Sequence, residues 1–133
     1  MTPLGLPFFE SGWSVIEPWG IWSDGREAVL SFPVSSVAPT GLSLEVDGHA
    51  YLADHVPQQR VIVQAGGQEV GEWTYSVSNP SSIKTVAFPK DASAQGRPVT
   101  VTLKFPDAAS PKGSDHRLLG IGIVRMRLVS TPL

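Results

Sequence analysis

Polar and apolar positions alternate along much of the chain. In "PVTVTLKF" the apolar side chains Val99, Val101, Leu103 and Phe105 take every second place, and Thr100, Thr102 and Lys104 fall between them. A period of two belongs to a β-strand with one face buried. "AVLSFPV" repeats it with Ala28, Leu30, Phe32 and Val34, and "GLSLEVDG" with Leu42, Leu44 and Val46 before an expected Asp47-Gly48 turn. "RVIVQAGGQEVGEWTYSV" reads as a hairpin. Val61 and Val63 precede the Gly66-Gly67 pair, Val70, Trp73, Tyr75 and Val77 follow it, and paired glycines tolerate the positive φ of a tight turn. "SIKTVAF" predicts another strand. The last segment, from Leu118 to Val129, has its apolar set on odd numbers at Leu119, Ile121 and Ile123, then on even numbers at Val124, Met126 and Leu128. A parity switch within one strand predicts a bulge or a crossing between sheets. No stretch keeps a helical period over three turns.

These segments predict an all-β chain of about eight strands. Twelve prolines and thirteen glycines are spread along it as punctuation between elements. The expected architecture is a jelly-roll-like antiparallel β-sandwich, of the kind seen in galactose-binding-like and carbohydrate-binding modules. At 133 residues, the span 1–133 is expected to be a single domain. Two longer loops stand out, Ala53 to Gln58 and Pro106 to His116.

Composition narrows the chemistry. The formal net charge is −2 and no basic patch appears, which argues against a nucleic-acid partner. Cysteine is absent, so disulfides, thiolate chemistry and cysteine zinc sites are excluded. The opening "MTPLGLPFFES" has neither a basic region nor a long apolar run, so no signal peptide and no membrane span are expected and a cytoplasmic location is favoured.

No catalytic constellation emerges. The three histidines, His49, His55 and His116, form no His-x-His pair of the cupin kind. Asp47, His49, Asp54 and His55 could gather around one loop, with a solvated turn as the plainer reading. Ser114, Asp115 and His116 are adjacent in the chain, which is the wrong arrangement for a hydrolase triad. Glu69 and Glu72 lie on a hairpin strand and are expected to face solvent. The segment "GIG" at 120–122 sits inside an apolar strand, not at a phosphate-binding turn. No catalytic residue, metal site or cofactor is therefore expected, although a structural calcium held by loop carboxylates is compatible with the fold class.

The informative feature is aromatic. Trp13, Trp19 and Trp22 fall within ten positions, two of them in "EPWGIWSDG". Flat aromatic rings pack against the C–H face of a pyranose, while nearby carboxylates and guanidinium groups bind its hydroxyls. Glu17, Asp24, Asp115 and Arg117 could supply those partners. The alternative reading makes the tryptophans core anchors, and Asp115–Arg117 an ion pair that fixes the loop. Trp73 alternates with Tyr75 and is assigned to the core.

Four segments in order resemble an uncharacterised bacterial β-sandwich domain found appended to glycosyltransferases and other cell-surface polysaccharide enzymes. They are Glu-x-Trp-Gly-x-Trp-Ser-x-Gly at Glu17 to Gly25, the Gln-Arg-Val strand with its hairpin, the Pro-Asp-Ala-x-Ser-Pro loop, and Ser-Asp-x-Arg-x-Leu-Gly-Ile at Ser114 to Ile121. The resemblance runs from about Trp13 to Leu128. It departs from the pattern in a short loop at Pro111 to Ser114 and in Gly-Gly where Asn-Gly is usual. It implies a non-catalytic accessory module that binds a glycan or works beside a glycosyltransferase-type partner, with Trp13, Glu17, Trp19, Trp22, Asp115 and Arg117 as the candidate site. The alternative is a structural or protein-interaction module, including a homodimer through a sheet face. Either way, residues 17 to 25 are expected to meet residues 114 to 117.

Overall fold

The computed structural model describes residues 2–3, 8–32, 42–88, 99–111, 113 and 115–130. Ten strands run in chain order: β1 Thr2–Pro3, β2 Phe8–Ser11, β3 Ile21–Asp24, β4 Glu27–Phe32, β5 Leu42–Ala50, β6 Gln58–Ala65, β7 Gln68–Ser76, β8 Ser81–Ala87, β9 Val99–Lys104 and β10 Leu119–Ser130. Every pairing is antiparallel. One sheet orders β1-β10-β5-β8, with β3 also against β10, and the other orders β2-β4-β9-β6-β7. Strands β3 to β10 thus form the sheets 3-10-5-8 and 4-9-6-7. Each connection among them crosses to the opposite sheet except the β6–β7 hairpin, which is the jelly-roll order. The seven segments read from the alternation are β4 to β10, β3 makes the eighth strand of this order, and the short β1 and β2 extend the two sheets.

Alternation explains which face each strand buries. Leu42, Leu44 and Val46 of β5, Val61 and Val63 of β6, and Val99, Val101 and Leu103 of β9 all point between the sheets. Phe32, Tyr75 and Phe105 fill the same core. Trp73 is buried there too, and its indole N–H donates to the Thr85 carbonyl at 3.1 Å across the β7 and β8 edges. The hairpin turn is built as expected, with Gly66 at φ 60° and Gly67 at φ 83°.

Three expectations are corrected. Asp47-Gly48 is no turn: β5 runs straight through it to Ala50, because both residues are paired on both sides, to β10 and to β8. Val77 lies beyond the end of β7 and is exposed. Val124 does not join the inward set of Met126 and Leu128. It is the extra residue between Ile123, opposite Gly48, and Arg125, opposite Asp47, and it faces solvent. The parity switch itself is a bulge, as the pattern predicts. Val34, Pro98 and Ser114 lie outside the described residues.

A second bulge joins β3 to β10. Leu119 pairs with Asp24 and Gly122 with Trp22, so Gly120 and Ile121 together face the single residue Ser23. The buried Ser23 hydroxyl accepts both of their amides, at 3.1 and 3.0 Å. Gly120 is required here, since a Cβ would lie 2.8 Å from the Phe105 ring. At the same end of the sandwich, the buried Gln59 amide nitrogen approaches the carbonyls of Tyr51, Asp107 and Leu119, binding two loops to the start of β10.

Ser23→Ala would leave two buried amides without their acceptor. The expected loss is at least about 2 kcal/mol of unfolding free energy, measured by urea denaturation. A loss below about 0.5 kcal/mol would mean that the bulge amides bond elsewhere.

Candidate functional site

The outer face of the β10-β5-β8 sheet is set by the same alternation. Ile21 and Ser23 point inward, so Trp22 points outward. On β5, Glu45, Asp47 and His49 share that outer face, because Leu44, Val46, Gly48 and Ala50 are buried. Gly122 of β10 lies between them, paired to Trp22 on one side and to His49 on the other.

Trp19 arrives from a turn. Glu17 and Gly20 bond each other's backbone, at 2.8 and 3.1 Å, and close a tight loop around Pro18 and Trp19. The loop sits on the Val124 bulge: Gly20 has φ 152°, and a Cβ there would come within 2.0 Å of the Ile123 carbonyl oxygen. That seating swings the Trp19 indole over Gly122. Three rings then converge. Trp19 and Trp22 have centroids 5.6 Å apart at 73°, Trp19 and His49 5.1 Å at 44°, and Trp22 and His49 4.9 Å at 89°. All three are half-buried, so each keeps surface in water. Gly122 is the floor of the cluster, as a Cβ there would meet His49 Nε2 at 2.7 Å and Trp19 Cη2 at 2.9 Å.

The second group of expected residues lies beside this turn. Arg117 makes a two-pronged ion pair with Asp115, with Nη2 to Oδ2 at 2.7 Å and Nε to Oδ1 at 3.0 Å, and its own amide donates to Oδ1 at 3.0 Å. Its guanidinium also reaches Ser14 Oγ at 3.3 Å and Glu17 Oε2 at 4.0 Å. Asp24 Oδ1 accepts the Leu118 amide at 2.9 Å, and the Gly25 amide donates to the Leu118 carbonyl at 2.8 Å. The segments 17–25 and 115–118 therefore meet, as expected. The Arg117 hydrogen bonds hold the Asp115 carboxyl down to about 2.

Trp13 stands apart from both groups. Its ring packs edge-on against Phe9 at 4.9 Å and its N–H donates to the Val29 carbonyl at 2.9 Å. That is the anchoring role of the core reading. His55 lies against Tyr51, with ring centroids 6.2 Å apart, while His49 joins the tryptophans, so the loop gathering of Asp47, His49, Asp54 and His55 is not formed. Glu69, Glu72 and His116 are exposed.

His49 is the member that sequence reasoning missed. The expected Asp47-Gly48 turn ended the strand before it, whereas β5 runs on to Ala50 and sets His49 on the outer face opposite Gly122. Two arginine–carboxylate pairs continue the face beyond it, Arg125 with Asp47 at 3.3 Å and Arg127 with Glu45 at 2.9 Å. Among the described residues no three histidine or acidic side chains gather as a metal cage, and the carboxylates of this face are engaged by arginines or a backbone amide. No described helix is long and apolar enough to cross a membrane.

Residues 9–130 match the family model described as a domain of unknown function, DUF7024, and the chain belongs to that family. No curated protein sequence matches it. Its fold is similar to solved β-sandwich modules. One is the CBM36-1 domain of a multidomain xylanase from the hindgut metagenome of Trinervitermes trinervoides, with TM-score 0.52, 14% identity, and 95% of this chain and 92% of that chain covered. Another is the carbohydrate-binding module CBM36 in complex with calcium and xylotriose, with TM-score 0.56, 12% identity, and 96% and 98% covered. A third is a family two carbohydrate esterase from Clostridium thermocellum, with TM-score 0.53, 8% identity, and 99% of this chain on 34% of that one.

His49 reports on the cluster. Burial against the tryptophans lowers its pKa from 6.5, and nearby Asp47 opposes this. The unfolded chain binds a proton at about 6.5, the folded chain only at lower pH. The contribution to stability is therefore complete above pH 6.5 and is lost as pH falls through the folded value. An NMR titration should place the His49 midpoint below 6.5, and Trp19→Ala should move it up. A midpoint at or above 6.5 would contradict the packing.

Proposed function

We propose that this DUF7024 domain is a non-catalytic carbohydrate-binding module, spanning 1–133 as one domain and serving bacterial polysaccharide metabolism beside a glycosyltransferase-type enzyme. One observation carries the reading: Trp19, Trp22 and His49 form a half-exposed aromatic cluster on the outer face of a sandwich whose fold neighbours include carbohydrate-binding modules. An indole face stacks a pyranose ring, and the Arg125–Asp47 and Arg117–Glu17 groups on either side offer donors and acceptors to its hydroxyls. Asp115 positions Arg117 without facing the ligand. Trp13 is a packing residue in this scheme. No group of the face is arranged for bond cleavage: the carboxylates are held by arginines or an amide, and His49 is flanked by rings.

A second reading draws on Ile83 and Val124, which stand exposed on the same sheet face. They would suit a protein partner or a second copy of the chain.

The test is a titration of the purified domain with a soluble glycan panel, followed by tryptophan fluorescence and calorimetry. A saturable shift is expected, weakened about tenfold or more by Trp19→Ala and unchanged by Trp13→Phe, given that a lost stacking contact of about 1.4 kcal/mol is tenfold in affinity. Silence across the panel, with concentration-dependent dimerisation in sedimentation runs, would favour the second reading.

A further inference from the structure

If the aromatic cluster is a glycan site, its geometry and charge limit which glycan it takes. We infer that it holds a single unit at the end or branch of a neutral, soluble glycan, and that it takes neither a flat crystalline polysaccharide surface nor an acidic polymer. The inference rests on the function proposed above and makes it more specific.

The geometric argument concerns planes. Binding a flat polysaccharide surface requires rings lying in one plane, spaced along the chain so that successive sugars each find a face. Trp19 and Trp22 stand 73° apart with centroids only 5.6 Å apart. His49 closes the arrangement at 89° to Trp22. These rings make a corner, and a corner grips one compact unit on more than one side. Gly122 lets the rings seat directly on the sheet, since a Cβ there would meet His49 Nε2 at 2.7 Å and Trp19 Cη2 at 2.9 Å. The corner also sits at the end of the β3 and β5 strands, where the Glu17–Gly20 turn closes one side. Along the sheet from the rings lie Asp47 and Arg125.

The charge argument concerns partners. Each described arginine on or beside this face already has a carboxylate: Arg117 has Asp115 at 2.7 Å and Glu17 at 4.0 Å, Arg125 has Asp47 at 3.3 Å, and Arg127 has Glu45 at 2.9 Å. Asp24 adds a further negative charge next to Trp22. Among the described residues, no cation of the face is left over for a uronate or sulfate group. An anionic sugar approaching any of these arginines would meet the repulsion of the carboxylate already beside it. Neutral hydroxyls, by contrast, can share the remaining donor and acceptor positions of these pairs.

The experiment uses three probes on the whole chain. Neutral oligosaccharides of one to six units are titrated by calorimetry, crystalline cellulose and chitin are tested by depletion, and polygalacturonate is tested at low and high salt. The expected result is saturable binding of a neutral oligosaccharide whose affinity rises less than threefold beyond one unit, with no depletion by the crystalline solids and at least tenfold weaker binding of the polyanion. Depletion by a crystalline solid, or tight salt-sensitive binding of the polyanion, would overturn this inference and leave the glycan-binding function standing. Affinity climbing steadily to six units would also overturn it, by pointing to an extended groove. If none of the three classes binds, the proposed function fails first. Asp47→Asn supplies an independent check: it frees Arg125 without touching the rings, so polygalacturonate binding should gain at least threefold. No gain would mean that the ion pairs do not set the charge preference.

Discussion

One hydroxyl holds the arrangement together. Ser23 stands alone opposite Gly120 and Ile121, and its side chain takes both amides that the bulge would otherwise leave buried and unbonded. Without an acceptor there, the ladder between β3 and β10 would have to straighten, and a one-residue change of register turns every side chain over. Trp22 would then face the core and Ile21 the solvent. The outward tryptophan, its pairing with Gly122 and the meeting of segments 17–25 and 115–118 all depend on that local solution. The other bulge, at Val124, completes it by giving the Glu17–Gly20 turn a backbone to sit on.

The ion pairs act by position more than by strength. Arg117–Asp115, Arg125–Asp47 and Arg127–Glu45 are at least partly solvated, and such pairs add little to stability. Their geometry is more informative. Arg117 links the end of the β9–β10 loop to the Ser14 side of the aromatic turn, and Asp107, at the start of the same loop, ties it to β6 by binding the Arg60 guanidinium and amide. Together with Gln59, these contacts fix the loops at the ends of the sandwich, so the rigidity of the face comes from the sheet and its orientation from the clamps.

Much of this was legible in the residues. The period of two named the inward side of β4, β5, β6 and β9, and paired glycines marked the hairpin. The parity change in the last strand foretold a bulge because side-chain direction cannot change otherwise. What could not be read was pairing across the chain. Asp47-Gly48 looks like a turn locally and becomes mid-strand only because β8 and β10 occupy both its sides. The six expected site residues separated into an aromatic pair, an ionic cluster and a core anchor for the same reason. Spacing puts Trp13 near Trp19 in sequence, while Phe9 and the Val29 carbonyl draw its ring the other way. His49 was hidden because its partners lie on β3 and in the turn before it, about thirty residues away.

The aromatic face also differs from what stability alone would build. A glycine inside a strand weakens it, by loss of packing and by the extra freedom of the unfolded chain. A β-branched residue at position 122 would favour the strand, yet its Cβ would strike His49 and Trp19. A buried-leaning imidazole between two indoles is likewise harder to protonate than one in water, so the cluster makes the fold more sensitive to acid. Neither cost is recovered in the core, because all three rings lie outside it. Sequences break local rules where function asks it of them. Strand β10 breaks two, by bulging twice and by carrying glycine beneath the rings, and both departures serve to bring Trp19, Trp22 and His49 together at the surface.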